Sequence, residues 1–198
     1  SNEKKIPCFG VLGDLILSFS KLLNQEASHQ PSGQYVLNDE YFKRIEAINY
    51  TLEHDDGEGQ KNLELADVII VGVSRTSKTP TCIYLANKGI KAANYPLVPD
   101  IGVSKELDEV KSPTVVALIT SAQTLVEIRR KRSLELGLKD KETDYINVHK
   151  VEEEIIAAKR IFANKGWPVI DITRRSVEET ASAIMNIISL KEKKENEQ

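Results

Sequence analysis

Apolar residues keep a helical rhythm through the first sixty positions of this chain, then alternate between strand-like runs and helices. Residues 11–23, "VLGDLILSFSKLL", read as an amphipathic helix interrupted by Asp14 and Lys21. The polar stretch "NQEASHQPSGQ" follows, in which Pro31 and Gly33 end any helix. A second helix is expected over "YFKRIEAINYTLEHDDG", where Tyr41, Phe42, Ile45, Ile48 and Leu52 recur at helical spacing. Asn38 or Asp39 suits its N-cap, and Gly57 marks its stop.

From Ala66 onward, short and nearly continuous apolar runs predict strands at 68–71, 91–98, 114–119 and 167–172. Pro99 stops the second of these. Helices are predicted at about 80–88, closed by Gly89, and at about 122–136, followed by Gly137. Another is predicted at 147–164, with Val148, Val151, Ile155, Ala158 and Phe162 on one face and Gly166 after it. A last helix opens on Ser176-Val177-Glu178-Glu179, a capping-box pattern, with Ile184, Ile187 and Ile188 as its apolar face. Strands separated by helices predict an α/β fold, a mostly parallel sheet flanked by helices. The expected organisation is a mainly helical N-terminal portion, 1–60, an α/β domain, 61–190, and a charged, frayed tail, 191–198. Ser1-Asn2 reads as a tag-removal remnant.

Composition narrows the function. With 198 residues, 40% of them hydrophobic, the chain can bury a sizeable core, and its net charge of −3 offers no basic field for nucleic acid. Cys8 and Cys82 make no disulfide framework, and His29, His54 and His149 lack zinc-ligand spacing. No apolar run approaches the ~20 residues that cross a bilayer. A cytoplasmic protein without membrane or nucleic-acid partners is the expectation.

The turn after the first strand carries the chemistry. Gly72, Val73, Ser74, Arg75, Thr76, Ser77, Lys78 and Thr79 resemble the phosphate-binding loop G-x-x-x-x-G-K-[ST], with Ser77 in place of the second glycine. Gly72 permits the sharp turn, and the amides of about 75–78 supply a nest at a helix N-terminus. Lys78 adds a positive charge, and Thr79 a hydroxyl for phosphate-bound Mg²⁺. Pro80 is tolerated in the first helical turn. The fold is therefore expected to be P-loop-kinase-like. Asp171 has the form of a Mg²⁺-holding strand-end carboxylate, and equally of a cap for the last helix.

The segment "ADVIIVGVSRTSKTPTCIYLANKGIKAANYPLVP" resembles the signature of the pyruvate, phosphate dikinase regulatory proteins, and of the related phosphoenolpyruvate synthase regulatory proteins. "SHQPSGQYVLNDEYFKRIEAINYTLEHDDG", "LVEIRRKRSLELGL" and "GWPVIDITRRSVEETA" extend the resemblance to about 6–185. The family's usual "SDSTG"-like N-terminal motif does not occur in this sequence, which reads either as a fragment or as a short member. Cys82 stands where the family often has Ser. The resemblance implies a bifunctional enzyme that phosphorylates a threonine beside the dikinase's catalytic histidine, using ADP and releasing AMP. It also implies removal of that phosphate by inorganic phosphate, forming pyrophosphate. The family's ADP-binding stretch matches 72–79 residue for residue. The implied partner is the dikinase, or the synthase, with a homodimer left open.

Such chemistry needs a group to orient the accepting hydroxyl, and His54-Asp55-Asp56-Gly57 offers adjacent carboxylates, Asp55 or Asp56. Taken alone, "DDG" is also ordinary turn chemistry. Arg129, Arg130 and Arg132 suggest a cationic lid over phosphates, though such runs are commonly solvated helix faces; Arg174 and Arg175 pose the same alternative. His29 and His149 read as surface histidines, and Trp167 as a core residue. Two rivals fit the loop equally: an ADP sensor that binds without modifying its partner, and a small-molecule kinase using ATP.

Overall fold

A computed structural model describes residues 12–26, 39–55, 62–135 and 144–196. The chain divides into two compact units, Ser1–Leu37 and Asn38–Gln198. The first contains the expected amphipathic helix, α1 (Gly13–Leu23), closed by Asn24 in the left-handed conformation.

In the second unit α2 (Asp39–Glu53) precedes a four-stranded, wholly parallel sheet. Its strands are β1 (Val68–Gly72), β2 (Ala92–Pro96), β3 (Thr114–Ile119) and β4 (Val169–Asp171), in the order β2-β1-β3-β4. The helices between them are α3 (Lys78–Ala86), α4 (Lys105–Glu109), α5 (Ala122–Glu135) and α6 (Val148–Lys165), and α7 (Val177–Asn196) follows β4. Val68 and Val71 pair with Ala92 and Tyr95 on one side, and with Thr114 and Ala117 on the other. The chain runs from β1 to one neighbour and then crosses to the other. The loop after β1 thus opens at the carboxyl-end crevice where parallel sheets hold ligands.

Both sheet faces are covered, which explains the unbroken apolar strands. Val68, Ile70, Val116 and Leu118 pack with Cys82 and Leu85 of α3 and Ile184 of α7. Ile69, Val71 and Ala117 pack with Leu125 of α5 and Val151 and Phe162 of α6. Trp167 packs against this second cluster, its ring 6.3 Å from that of Phe162. The capping box at α7 forms as predicted: the Ser176 amide donates to Glu179 Oε2 at 2.8 Å, and the Glu179 amide to Ser176 Oγ at 3.1 Å.

Several elements depart from expectation. Helix α2 buries Ala47, Tyr50 and Thr51, and His54 just after it is buried too, whereas Phe42, Ile45 and Leu52 of the predicted apolar face are exposed. The cause is its role as the cover of the open edge of β2. Thr51 Oγ1 donates to the Ala92 carbonyl at 2.8 Å and accepts from the Ala92 amide at 3.2 Å, and the Asn94 amide donates to the His54 carbonyl at 2.9 Å. An edge strand needs such partners, so α2 goes with the sheet. Helix α4, capped by Ser104, was not predicted. Strands β2 and β4 are shorter than expected, Val148 is exposed on α6, and α7 continues to Asn196 where a frayed tail was expected. Asn38, Gly57 and Gly137, proposed as helix boundaries, lie outside the described residues.

Thr51→Val keeps the side chain's shape but leaves both backbone groups of Ala92 without their edge partner. The expected loss is about 2 kcal/mol of unfolding free energy, measured by urea denaturation; unchanged stability would contradict this role for α2.

Candidate active site

The loop between β1 and α3 is shaped by its own side chains. Thr76 Oγ1 and Lys78 Nζ both donate to the Val73 carbonyl, at 2.9 and 3.0 Å, which draws the loop into a closed ring. Thr76 and Lys78 are buried; Ser74 and Arg75 face solvent. Arg75 (φ +73°) and Ser77 (φ +54°) adopt the left-handed conformation, in which successive amides can converge on one anion. Ser77 thus takes on the backbone role of the glycine it replaces. Its carbonyl accepts from Thr81 Oγ1 at 2.7 Å, securing the first turn of α3.

Gly72 is required for a different reason. A Cβ there would stand 2.7 Å from Thr76 Oγ1 and 2.8 Å from the Leu118 carbonyl oxygen. Only glycine lets the end of β1 pass this close to β3 while the loop folds back over it.

At its far end the loop meets α2. Thr79 Oγ1 donates to Asp55 Oδ1 at 2.9 Å, and Asn94 Nδ2 lies 2.7 Å from Asp55 Oδ1 and 2.9 Å from Thr79 Oγ1. Asp55 is delivered here by the helix end before it, where His54 stacks on Tyr50 at 3.9 Å and its Nδ1 lies 2.8 Å from the Tyr50 carbonyl. Burial, with a smaller contribution from the charge of Asp67, pushes the Tyr50 hydroxyl up to about 12, so it stays neutral across the working range. Cys82, behind the loop, is held as a thiol far above its usual range by burial and then by Asp55. It is a core residue rather than a nucleophile.

A cleft of about 310 Å³ opens beside the loop, lined by Ser74, Arg75, Ser77, Lys78, Thr79 and Asn94, with Pro96 and Ile128 as its apolar wall. A larger groove of about 690 Å³ adjoins it and shares Ser74 and Pro96. Whether Mg²⁺ fits is decided by the Thr79 hydroxyl. Its proton is directed to Asp55 and one lone pair to Asn94, which leaves one lone pair for a cation. Hard oxygen donors beside a nest of loop amides suit Mg²⁺, which takes few protein ligands and completes its shell with other oxygen ligands and water.

The structure thus brings 72–79 and Asp55 together; Asp56 lies outside the described residues. Asn94, which clamps Asp55 and Thr79, was missed. Its signal was an amide side chain in the middle of the strand-forming run "AANYPLV". The arginine lid is not formed as expected. Arg129 is 2% exposed and bound to Glu154, Arg132 pairs with Glu135 at 3.4 Å, and Arg130 faces solvent. Asp171 belongs to local structure: Oδ1 accepts from the Thr173 hydroxyl at 2.5 Å and from its amide at 2.9 Å, bonds that hold the carboxyl below the usual carboxylate range. It sits on β4, two strands from β1. Arg174 and Arg175 are exposed before α7, and His149 is exposed on α6. Among the described residues no group of three or more His, Cys, Asp or Glu side chains could hold a metal, and no helix is long and apolar enough to cross a membrane.

Comparison with known proteins bears on this geometry. A family model described as kinase/pyrophosphorylase matches residues 1–185. A relative from Pelagibacter ubique is 54% identical over 191 residues, which make up 96% of this chain and 69% of the relative. Relatives from Caulobacter vibrioides (51% identical, 93% of this chain, 58% of the relative) and Rhodopseudomonas palustris (43%, 98% and 70%) are similar. All three are provisionally named pyruvate, phosphate dikinase regulatory proteins. The chain spans between 58% and 70% of the length of these relatives.

Gly72→Ala should force the loop away from β3. We expect a loss of about 2 kcal/mol from overpacking, read by denaturation, together with loss of pyrophosphate binding to the loop in a calorimetric titration. Full retention of both would show that the close approach is not needed.

Proposed function

The chain belongs to the kinase/pyrophosphorylase family, and from that membership we propose a bifunctional regulatory enzyme whose protein substrate is pyruvate, phosphate dikinase. The observation that carries the reading is the left-handed loop with buried Lys78, abutting the knot of Asp55, Asn94 and Thr79. A nest of amides and an ammonium suit a diphosphate, and the carboxylate suits an attacking hydroxyl. The name these relatives carry favours the dikinase over phosphoenolpyruvate synthase as target.

In the forward direction the loop amides and Lys78 hold the phosphates of ADP. The adjoining groove gives the nucleoside a place contiguous with them. A threonine hydroxyl oxygen of the substrate attacks the β-phosphorus, the bond to the bridging oxygen breaks, and AMP leaves. Asp55 orients that hydroxyl and accepts its proton through Oδ2, since Oδ1 is committed to Thr79 and Asn94. Asp56 is the alternative for this role. In the other direction an oxygen of inorganic phosphate attacks the phosphothreonine phosphorus. Pyrophosphate forms as Asp55 takes the proton of the attacking phosphate and delivers it to the departing threonine oxygen. Thr79 would hold Mg²⁺, which when bound would neutralise phosphate charge. Phosphoryl transfer is mainly positioning and charge stabilisation, which these residues provide.

The test uses ADP labelled at the β-phosphate with each candidate target in its phosphohistidine form. Label on a threonine of the dikinase is expected. Label from ATP alone would indicate a small-molecule kinase, and ADP binding without transfer a sensor. Lys78→Met should lower both activities about a hundredfold or more. Asp55→Asn should lower turnover by a similar factor while ADP binding persists. Undiminished turnover in either variant would remove that residue from the mechanism.

A further inference from the structure

Arg129 is one of the largest side chains the fold buries completely. Its guanidinium donates to both carboxylate oxygens of Glu154 on α6, at 2.7 and 2.9 Å, and to the Tyr145 carbonyl at 3.3 Å. The Tyr145 ring centroid lies 4.5 Å from its central carbon. The remaining bond runs to the phosphate loop: one terminal nitrogen donates to the Ser74 carbonyl at 3.2 Å. Held by a bidentate carboxylate, the fork has little freedom to turn.

The bond to Ser74 constrains more than one oxygen. A trans peptide is planar, so its C=O and N–H point in opposite directions. With the Ser74 carbonyl drawn toward Arg129, the Arg75 amide hydrogen is turned away from it. Arg75 is also the first of the two left-handed residues of the loop, Ser77 being the second. A peptide free to flip here would present an oxygen where an anion needs a donor. We propose that Arg129, held by Glu154, is a positioning residue that fixes the 74–75 peptide so that the Arg75 amide serves the bound diphosphate. This rests on the ADP reading given above.

Loss of Arg129 alone strands the Glu154 carboxylate and threatens the fold, so the decisive variant is the pair Arg129→Met with Glu154→Leu. Replacing a buried ion pair by apolar side chains of similar volume commonly preserves stability, and here Arg129 is the buried partner while Glu154 is 26% exposed. It removes the bond to Ser74 all the same. Arg129→Lys is the companion, since one ammonium cannot reproduce the fork. Thermal denaturation and ADP titration are compared on the full chain, followed by the Michaelis constants for ADP and for the protein substrate. Both variants should bind ADP about tenfold more weakly, the loss of one charge-assisted hydrogen bond. The constant for ADP should rise and that for the protein substrate should not. A folded variant of either kind with unchanged ADP affinity overturns the inference while leaving the ADP reading intact. Failure of the unsubstituted chain to bind ADP overturns both.

Discussion

The three-way hydrogen bond among Asp55, Asn94 and Thr79 is the contact on which the site depends. It joins residues far apart in sequence: one follows α2, one sits within β2, and one opens α3. Each arrives for a separate structural reason. Asp55 is brought by a helix that covers the sheet edge through Thr51 and the His54 carbonyl. Asn94 takes its place from the parallel register of β2 on β1, where it pairs with Ile70. Thr79 follows from the length of the loop. A weakened edge contact therefore reaches the chemistry although it lies outside the cleft.

The loop balances strain against internal satisfaction. Two non-glycine residues occupy left-handed backbone conformations, each costing on the order of 1 kcal/mol. Closure of the ring through the Val73 carbonyl offsets that cost, as does the tie of Ser77 to Thr81. A loop already bent into its nest needs less reordering when a phosphate arrives, which favours affinity. Arg129 extends the same principle from behind, since its other bonds reach α6 and the segment of Tyr145.

Much of the scaffold was legible in the sequence because it follows from local rules. Strand 114–119, the capping box at Ser176, and Gly166 after α6 were read correctly because each depends on neighbours in the chain. The strand–turn–helix setting of the loop was legible from its spacing. What escaped depends on distant partners. The buried face of α2 is set by a strand edge some forty residues later, so Thr51 is inside and Leu52 outside against their polarity. Arg129 looked like one member of a solvated run, and only the position of Glu154 turns it inward. Asp171 carried a plausible strand-end pattern, but its strand lies at the sheet edge away from the loop. Asn94 supplied a visible cue, a polar residue in an apolar strand, whose partners only the fold reveals.

The central claim is that the Gly72 loop holds the second phosphate of a nucleoside diphosphate. Calorimetric titration of the unsubstituted chain with ADP and with AMP, both in the presence of Mg²⁺, tests it most directly. The account predicts that AMP binds about a hundredfold more weakly, because the β-phosphate meets the amide nest and Lys78. Equal affinity for the two nucleotides would mean that the loop does not grip that phosphate, and would contradict the account.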